Sequence, residues 1–161
     1  MITVYHGTTD VVMTPICNIG RPKLDFGQGF YVTDLYEQAE IWAQTIAGKR
    51  KADPLINVYE LDKDNILAEA RSKIFHAYDK EWLDFIVANR EGRNLAENFD
   101  YIEGGIANDR VIDTIRLYMA GFLDVESTLQ QLAYHKPNNQ ICLLNQDLTN
   151  KYLKYVRTEK L

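Results

Sequence analysis

Short β-rich runs separated by helical patterns are the feature that most constrains the fold of this chain. The runs predict strands over residues 2–6, 29–33, 55–61, 99–103, 140–144 and 152–157. The periodic segments predict helices that begin at Asp34, span 80–90, begin at Asn108 or Asp109, and begin at Asp124. A chain of 161 residues has the right length for one core. We therefore predict a single α+β domain over residues 1–161.

Capping residues and apolar spacing refine two of these helices. Asp34, with Glu37 three positions later, has the spacing of a capping box at a helix N-terminus. In the helix that follows residue 108, the spacing of the apolar residues predicts a buried face made of Ile112, Ile115 and Met119.

Composition excludes several classes of protein. The chain has 18 Lys+Arg and 23 Asp+Glu, a formal net charge of −5, which argues against nonspecific binding of a phosphate backbone. Cys17 and Cys142 form no Cys-x-x-Cys pair and the three histidines lack zinc spacing, so we predict neither a disulfide framework nor a metal site. No apolar run approaches the ~20 residues of a membrane span, and the first residues do not resemble a signal peptide. We expect a reduced, cytoplasmic protein that does not enter a membrane.

Residues 8–28 lack hydrophobic periodicity and contain Asn, Gly, Pro and Lys, which predicts a long loop of the kind that often binds ligands. Chemistry-bearing residues flank this loop and recur late in the chain, in the segments Tyr5-His6-Gly7-Thr8, Asp25-Phe26-Gly27-Gln28-Gly29-Phe30-Tyr31-Val32-Thr33-Asp34 and Asn139-Gln140-Ile141-Cys142. Taken singly, each has a structural interpretation. A His-Gly pair commonly forms a turn, Tyr31 and Trp42 are typical core aromatic residues, and Gln140 is a typical polar residue at a strand edge.

Together and in this order, the segments resemble the His-Tyr-Glu class of the ADP-ribosyltransferase superfamily, which includes the poly(ADP-ribose) polymerases and diphtheria-like toxins. That class has a His-Gly on its first strand, a long donor loop, a Gly-x-Gly-x-Tyr strand, a helix with a ring-bearing residue, and a glutamate on a late strand. Here His6-Gly7, Gly27–Tyr31 and Trp42 match in order, and Gln140 stands where the glutamate is expected. Over its whole length the chain is similar to a largely uncharacterised bacterial domain family related to poly(ADP-ribose) polymerase catalytic domains.

The resemblance implies a split β-sheet with inserted helices and an NAD cleft between two small β-layers. It implies NAD as co-substrate and the catalytic residues His6, Tyr31 and Gln140. The residues that it implies for NAD binding are His6, Gly7, Thr8, Phe26, Gly27, Gly29, Tyr31, Trp42 and Asn108.

The chemistry of NAD accounts for these residue types. Cleavage of the bond between ribose and the cationic nicotinamide releases a neutral group, so the protein must mainly orient the donor and stabilise a ribosyl cation. By resemblance, Tyr31 and Trp42 sandwich the nicotinamide ring, and the Gly7 backbone holds its carboxamide. His6 bonds a ribose hydroxyl and Gln140 reaches the 2′-hydroxyl of the nicotinamide ribose.

Gln140 departs from the family pattern, because an amide accepts a hydrogen bond but stabilises a cation only weakly. The segment 101–110 can supply a compensating carboxylate, and Asp25 and Arg21 can touch the donor or the acceptor. The expected activity is mono-ADP-ribosylation of a protein or small molecule rather than a nucleic acid. The alternatives are an NAD glycohydrolase and a catalytically silent domain that binds NAD or a protein regulator, for example as part of a toxin–antitoxin pair.

Overall fold

The structure, a computed structural model, describes residues 1–107, 109–133 and 138–161. Its strands are β1 (Ile2–Thr8), β2 (Phe30–Val32), β3 (Leu55–Leu61), β4 (Ser72–Ile74), β5 (Tyr101–Gly104), β6 (Gln140–Leu143) and β7 (Leu153–Lys160). Its helices are α1 (Tyr36–Arg50), α2 (Lys63–Glu69), α3 (Lys80–Arg90), α4 (Asp109–Met119), α5 (Val125–Leu132) and α6 (Gln146–Tyr152), with a short 3-10 helix at Leu95–Asn98. The predicted α+β class is confirmed.

Within the described residues, the strands form two sheets that backbone hydrogen bonds join at one bridge. One sheet has the order β1-β3-β7 and is antiparallel, and the other has the order β2-β6-β5-β4, in which only the β4–β5 pair is parallel. The link between the sheets is an isolated bridge in which Tyr5 and Thr33 exchange backbone hydrogen bonds of 2.8 and 3.0 Å. Beyond this bridge, β1 and β2 share no further backbone pairing.

Apolar residues on both faces of the sheets build a layered core. Ile141 and Leu143 of β6 pack with β1 and β3 residues between the two sheets, whereas Cys142 of β6 packs with Trp82 and Ile86 of α3. On the outer face of the three-stranded sheet, Ala39 and Ala43 of α1 pack against Ile56 and Val58 of β3. Because both faces of β6 are covered, its run QICL is buried at every position.

Two predictions about helices are wrong. Asp34 does not cap α1: the N-cap position is Leu35, whose side chain makes no capping hydrogen bond, and Asp34 instead accepts a hydrogen bond from Asn139. The predicted buried face of α4 is wrong in part: Ile115 is fully buried as predicted, but Ile112 is only half-buried and Met119 is 38% exposed. The side of α4 that packs on the core runs through Val111, Ile115 and Tyr118 instead.

Four elements were not predicted from the sequence: α2, β4, the 3-10 helix and α6. The two helices have seven residues each, too few to show a clear apolar period. Their capping residues were the available signal: Asp62 accepts a hydrogen bond from the Asn65 amide, and Asn145 accepts one from the Leu148 amide.

Side-chain amides from three elements fix the long loop at residues 8–28. Asn57 of β3 donates to the Asp10 carbonyl and accepts from the Val12 amide. Gln146 of α6 makes a similar pair of hydrogen bonds to the loop. It donates to the Pro15 carbonyl and accepts from the Cys17 amide, both at 2.9 Å. Asn89 of α3 donates to the Asp25 carbonyl. Since an amide side chain offers both a donor and an acceptor, these residues replace the pairing that a strand would give.

Gly7 sets how closely α1 approaches β1. A Cβ atom at this position would lie 2.0 Å from the Ala39 carbonyl oxygen and 2.8 Å from the Ala43 nitrogen, both backbone atoms of α1. No side chain fits without moving the helix, so the lack of a Cβ at residue 7 brings α1 against the end of β1.

We therefore predict that Gly7→Ala lowers the free energy of unfolding by about 1–3 kcal/mol, because the added methyl group must push α1 away from the sheet. Urea unfolding measures this change. Gly48→Ala on the same helix is the matched control: it meets no atom within 4 Å and should stabilise by about 0.5–1 kcal/mol. Equal effects of the two substitutions would contradict the packing that we describe.

Candidate active site

A cleft of about 720 Å³ opens where β1 and β2 diverge. The ends of β1 and β2, the long loop, α1, and the start of β6 all contribute to its walls. Of the residues predicted from the sequence, the cleft is lined by His6, Gly7, Thr8, Gly29, Tyr31, Trp42 and Gln140. The structure thus brings together residues from four separate segments of the chain, including all three predicted catalytic residues.

The backbone of Gly7 faces this cleft. In an antiparallel strand, residues two apart direct their N–H and C=O groups to the same side. Tyr5 uses these groups to pair with Thr33 across the free edge of β1, and the β1–β3 register continues without a bulge to Thr8. The N–H and C=O of Gly7 therefore point away from β3, toward the cleft.

His6 joins the two diverging strands by its side chain. Its Nδ1 lies 2.7 Å from the Tyr31 carbonyl oxygen, and its ring packs on Phe30 with 4.6 Å between ring centroids. Burial lowers the pKa of His6 below its ordinary value, and this outweighs the opposing effects of the Tyr31 carbonyl and Asp10. Because a carbonyl oxygen only accepts hydrogen bonds, Nδ1 carries the proton of the neutral ring and Nε2 is an acceptor.

Tyr31 is held by its hydroxyl group, which donates a hydrogen bond to the Gly27 carbonyl. Burial, chiefly, raises the pKa of Tyr31 well above its usual range, so the hydroxyl stays protonated and remains a donor. Tyr31 of β2 and Trp42 of α1 both border the cleft.

Gln140 is the first residue of β6 and lies opposite Gly104 of β5. Tyr31 lies directly opposite Cys142, and residues two apart on a strand share a face. Gln140 and Tyr31 therefore lie on the same face of the sheet as diagonal neighbours. The Gln140 residue is 7% exposed, so its amide forms part of a buried wall rather than a solvated strand edge.

Three residues predicted to bind NAD are not placed in the cleft wall. Phe26 is fully buried in the core, stacked on Phe75 at 6.1 Å, so its side chain cannot contact a ligand in this structure. Gly27, with φ of +77°, lies in a turn, and its carbonyl oxygen accepts the hydrogen bond from the Tyr31 hydroxyl. Asn108 lies outside the residues that the structure describes.

Of the carboxylates considered as replacements for a glutamate at position 140, Glu103 faces away from the cleft. It lies opposite Ile141, on the other face of the sheet, and receives hydrogen bonds from Tyr101, Lys63 and Asn139. Burial raises the pKa of Glu103, but these hydrogen bonds outweigh that effect and hold the pKa below its usual value.

Asp25 does border the cleft, and so does Arg21. The Asp25 carboxylate accepts hydrogen bonds from Arg90 at 2.7 Å and from the Ala107 amide at 2.9 Å. These contacts tie the long loop to α3 and to the segment after β5. Sequence reasoning did not find Arg90, because only the folded chain brings it to Asp25.

Comparison with known proteins gives a family but no function. The model of a family described as a protein of unknown function, DUF3990, matches residues 2–155. No curated protein and no solved structure matches the chain. Within the residues that the structure describes, no helix has the length and apolarity to cross a membrane, and no cluster of three potential metal ligands occurs.

The surroundings of His6 predict how it titrates. We expect an NMR titration of its ring protons to give a pKa below 6.5, because burial penalises the charged ring. The unfolded chain then binds this proton more tightly, so the contribution of His6 to the free energy of unfolding is lost as the pH falls below 6.5. His6→Gln assigns the resonance and should remove this part of the pH dependence. A pKa at or above 6.5 would contradict the description.

Proposed function

We propose that this chain, which belongs to the DUF3990 family, binds NAD in the cleft and transfers its ADP-ribose unit, once per site, to an acceptor. The observation that carries the proposal is that His6, Tyr31 and Gln140, far apart in sequence, line one cleft together with Gly7 and Trp42. Each of these residues has an ordinary structural explanation by itself. Their convergence on one open volume supports a common ligand.

We also propose that the fold is the split sheet of the ADP-ribosyltransferases. Two facts support this. Among the residues that the structure describes, backbone pairing joins the two sheets only at Tyr5 and Thr33, and the cleft opens directly beyond that bridge. Helix α1 packs on one of these sheets and α3 on the other.

In the proposed complex, the nicotinamide ring lies between Tyr31 and Trp42. Stacking on an aromatic face suits a flat cationic ring, and each stack contributes about 0.5–1.5 kcal/mol beyond the buried area. The carboxamide has one donor and one acceptor function to satisfy. The Gly7 N–H and C=O, which point into the cleft, offer the complementary pair.

The neutral His6 ring and the Gln140 amide then bind the ribose. Nε2 of His6 accepts a hydrogen bond from a ribose hydroxyl, and Gln140 bonds the 2′-hydroxyl. The electrons of the broken bond stay on the nicotinamide nitrogen, which leaves as a neutral ring. The acceptor forms the new bond to the ribosyl carbon and releases its proton to solvent.

Gln140 makes this reaction slower than a glutamate would, because the amide carries no charge to stabilise the ribosyl cation. The same observation favours a second candidate function, a catalytically silent domain that binds NAD or a protein regulator. The net charge of −5 favours a protein or a small molecule over a nucleic acid as the acceptor.

Calorimetric titration tests the nicotinamide site. We expect the wild type to bind NAD, and Tyr31→Ala and Trp42→Ala to weaken binding about tenfold or more, because each loses an aromatic face. Phe122→Ala, which truncates an aromatic residue that is 79% exposed, is the control and should bind like the wild type. Equal affinities for all four proteins would remove the site assignment.

The charge argument predicts a gain of function. We expect Gln140→Glu to release nicotinamide from NAD about tenfold faster or more, since a carboxylate stabilises the developing cation. Adenine-labelled NAD separates the outcomes: labelled macromolecule indicates transfer, and free ADP-ribose indicates hydrolysis. Gln44→Glu, on the exposed face of α1, should change nothing. An unchanged rate in Gln140→Glu would show that residue 140 does not lie beside the reacting ribose.

A further inference from the structure

Asn139, the residue just before Gln140, is held by hydrogen bonds from both its side chain and its backbone. Its side-chain Nδ2 donates to Asp34 at 3.0 Å and to Glu103 at 3.1 Å. Its carbonyl oxygen accepts from the Thr33 hydroxyl at 2.8 Å. Glu103 is itself held by Lys63 at 2.9 Å, which fixes the position of this partner.

Gln38 of α1 completes this arrangement by binding both backbone groups of Asn139. Its Nε2 donates to the Asn139 carbonyl oxygen at 2.8 Å, and its Oε1 accepts from the Asn139 N–H at 3.3 Å. The side chain thus pairs with the N–H and the C=O of one residue, as a neighbouring strand would. We call this pair of hydrogen bonds the Gln38 clamp.

The clamp connects two walls of the cleft. Gln38 lies one helical turn before Trp42, so the two side chains project from the same face of α1. Asn139 is bonded covalently to Gln140. The same two hydrogen bonds therefore fix the helix that carries Trp42 relative to the strand that begins with Gln140.

We propose that Gln38 is a positioning residue. It holds the Gln140 side chain in place relative to the proposed nicotinamide position between Tyr31 and Trp42. This inference rests on the proposed function, because it assumes that Gln140 bonds the ribose of NAD. Gln38 does not line the cleft and touches no ligand, so it acts only through the backbone of Asn139. Without the clamp, Asn139 keeps its hydrogen bonds to Thr33, Asp34 and Glu103 but loses the two that bind it directly to α1.

A double-mutant cycle on NAD affinity tests this role. The proteins are wild type, Gln38→Leu, Gln140→Ala and the double variant, each titrated with NAD in a calorimeter. We expect each single substitution to weaken binding about tenfold, and the double variant to bind within about twofold of Gln140→Ala alone, because Gln38 acts through Gln140. Gln38→Glu, which keeps the size of the side chain but loses the donor to the carbonyl, should also weaken binding.

Gln44→Leu is the matched control, an exposed glutamine on the same helix, and should bind like the wild type. A role confined to folding would make the effects of Gln38→Leu and Gln140→Ala multiply, giving about a hundredfold loss in the double variant, and would overturn the clamp. Wild-type affinity in both Gln38→Leu and Gln38→Glu would overturn it too. If the wild type does not bind NAD, the proposed function fails, whereas the outcomes above reject the clamp while that function stands.

Discussion

The contact between Gly7 and the backbone of α1 is the constraint on which the cleft depends. With no Cβ at residue 7, the carbonyl of Ala39 and the amide of Ala43 lie directly against β1. This contact places Trp42 beside the end of β1, while the N–H and C=O of Gly7 face the opening between the sheets. The lack of a side chain at Gly7 thus lets α1 pack against β1 and leaves the backbone of Gly7 open to the cleft.

Hydrogen bonds from side-chain amides hold the rest of the site without regular secondary structure. Asn57 and Gln146 fix the long loop, and Gln38 fixes the residue before Gln140. Each of these amides binds both an N–H and a C=O of the segment that it holds. A buried backbone must satisfy these groups, so the amides make an irregular cleft wall compatible with burial. They also explain why the wall is shaped by residues that are distant in sequence.

The sequence was sufficient for most of the strands, for the four longest helices and for much of the cleft. The run at Leu55–Leu61 forms a strand with the predicted bounds, and the apolar spacing over Lys80–Arg90 forms a helix. Motif order pointed to His6, Tyr31 and Gln140, and these three residues do line one cleft.

The wrong predictions concern side chains whose contacts are set by residues distant in the sequence. Asp34 has the spacing of a cap but is used to bind Asn139, which lies 105 positions away in the chain. Phe26 belongs to a glycine-rich loop, yet its side chain is buried against Phe85 of α3 in the core. The Gln38 clamp has no local signal, since its two partners are 101 positions apart.

In the proposed complex, a cationic pyridine ring lies between two aromatic side chains, beside the backbone of a glycine. A crystal structure of the protein with NAD at saturating concentration shows whether it does. We expect electron density for the nicotinamide between Tyr31 and Trp42, with its carboxamide hydrogen-bonded to the Gly7 N–H and C=O. Density for NAD elsewhere on the protein, or an empty slot at saturation, would contradict it.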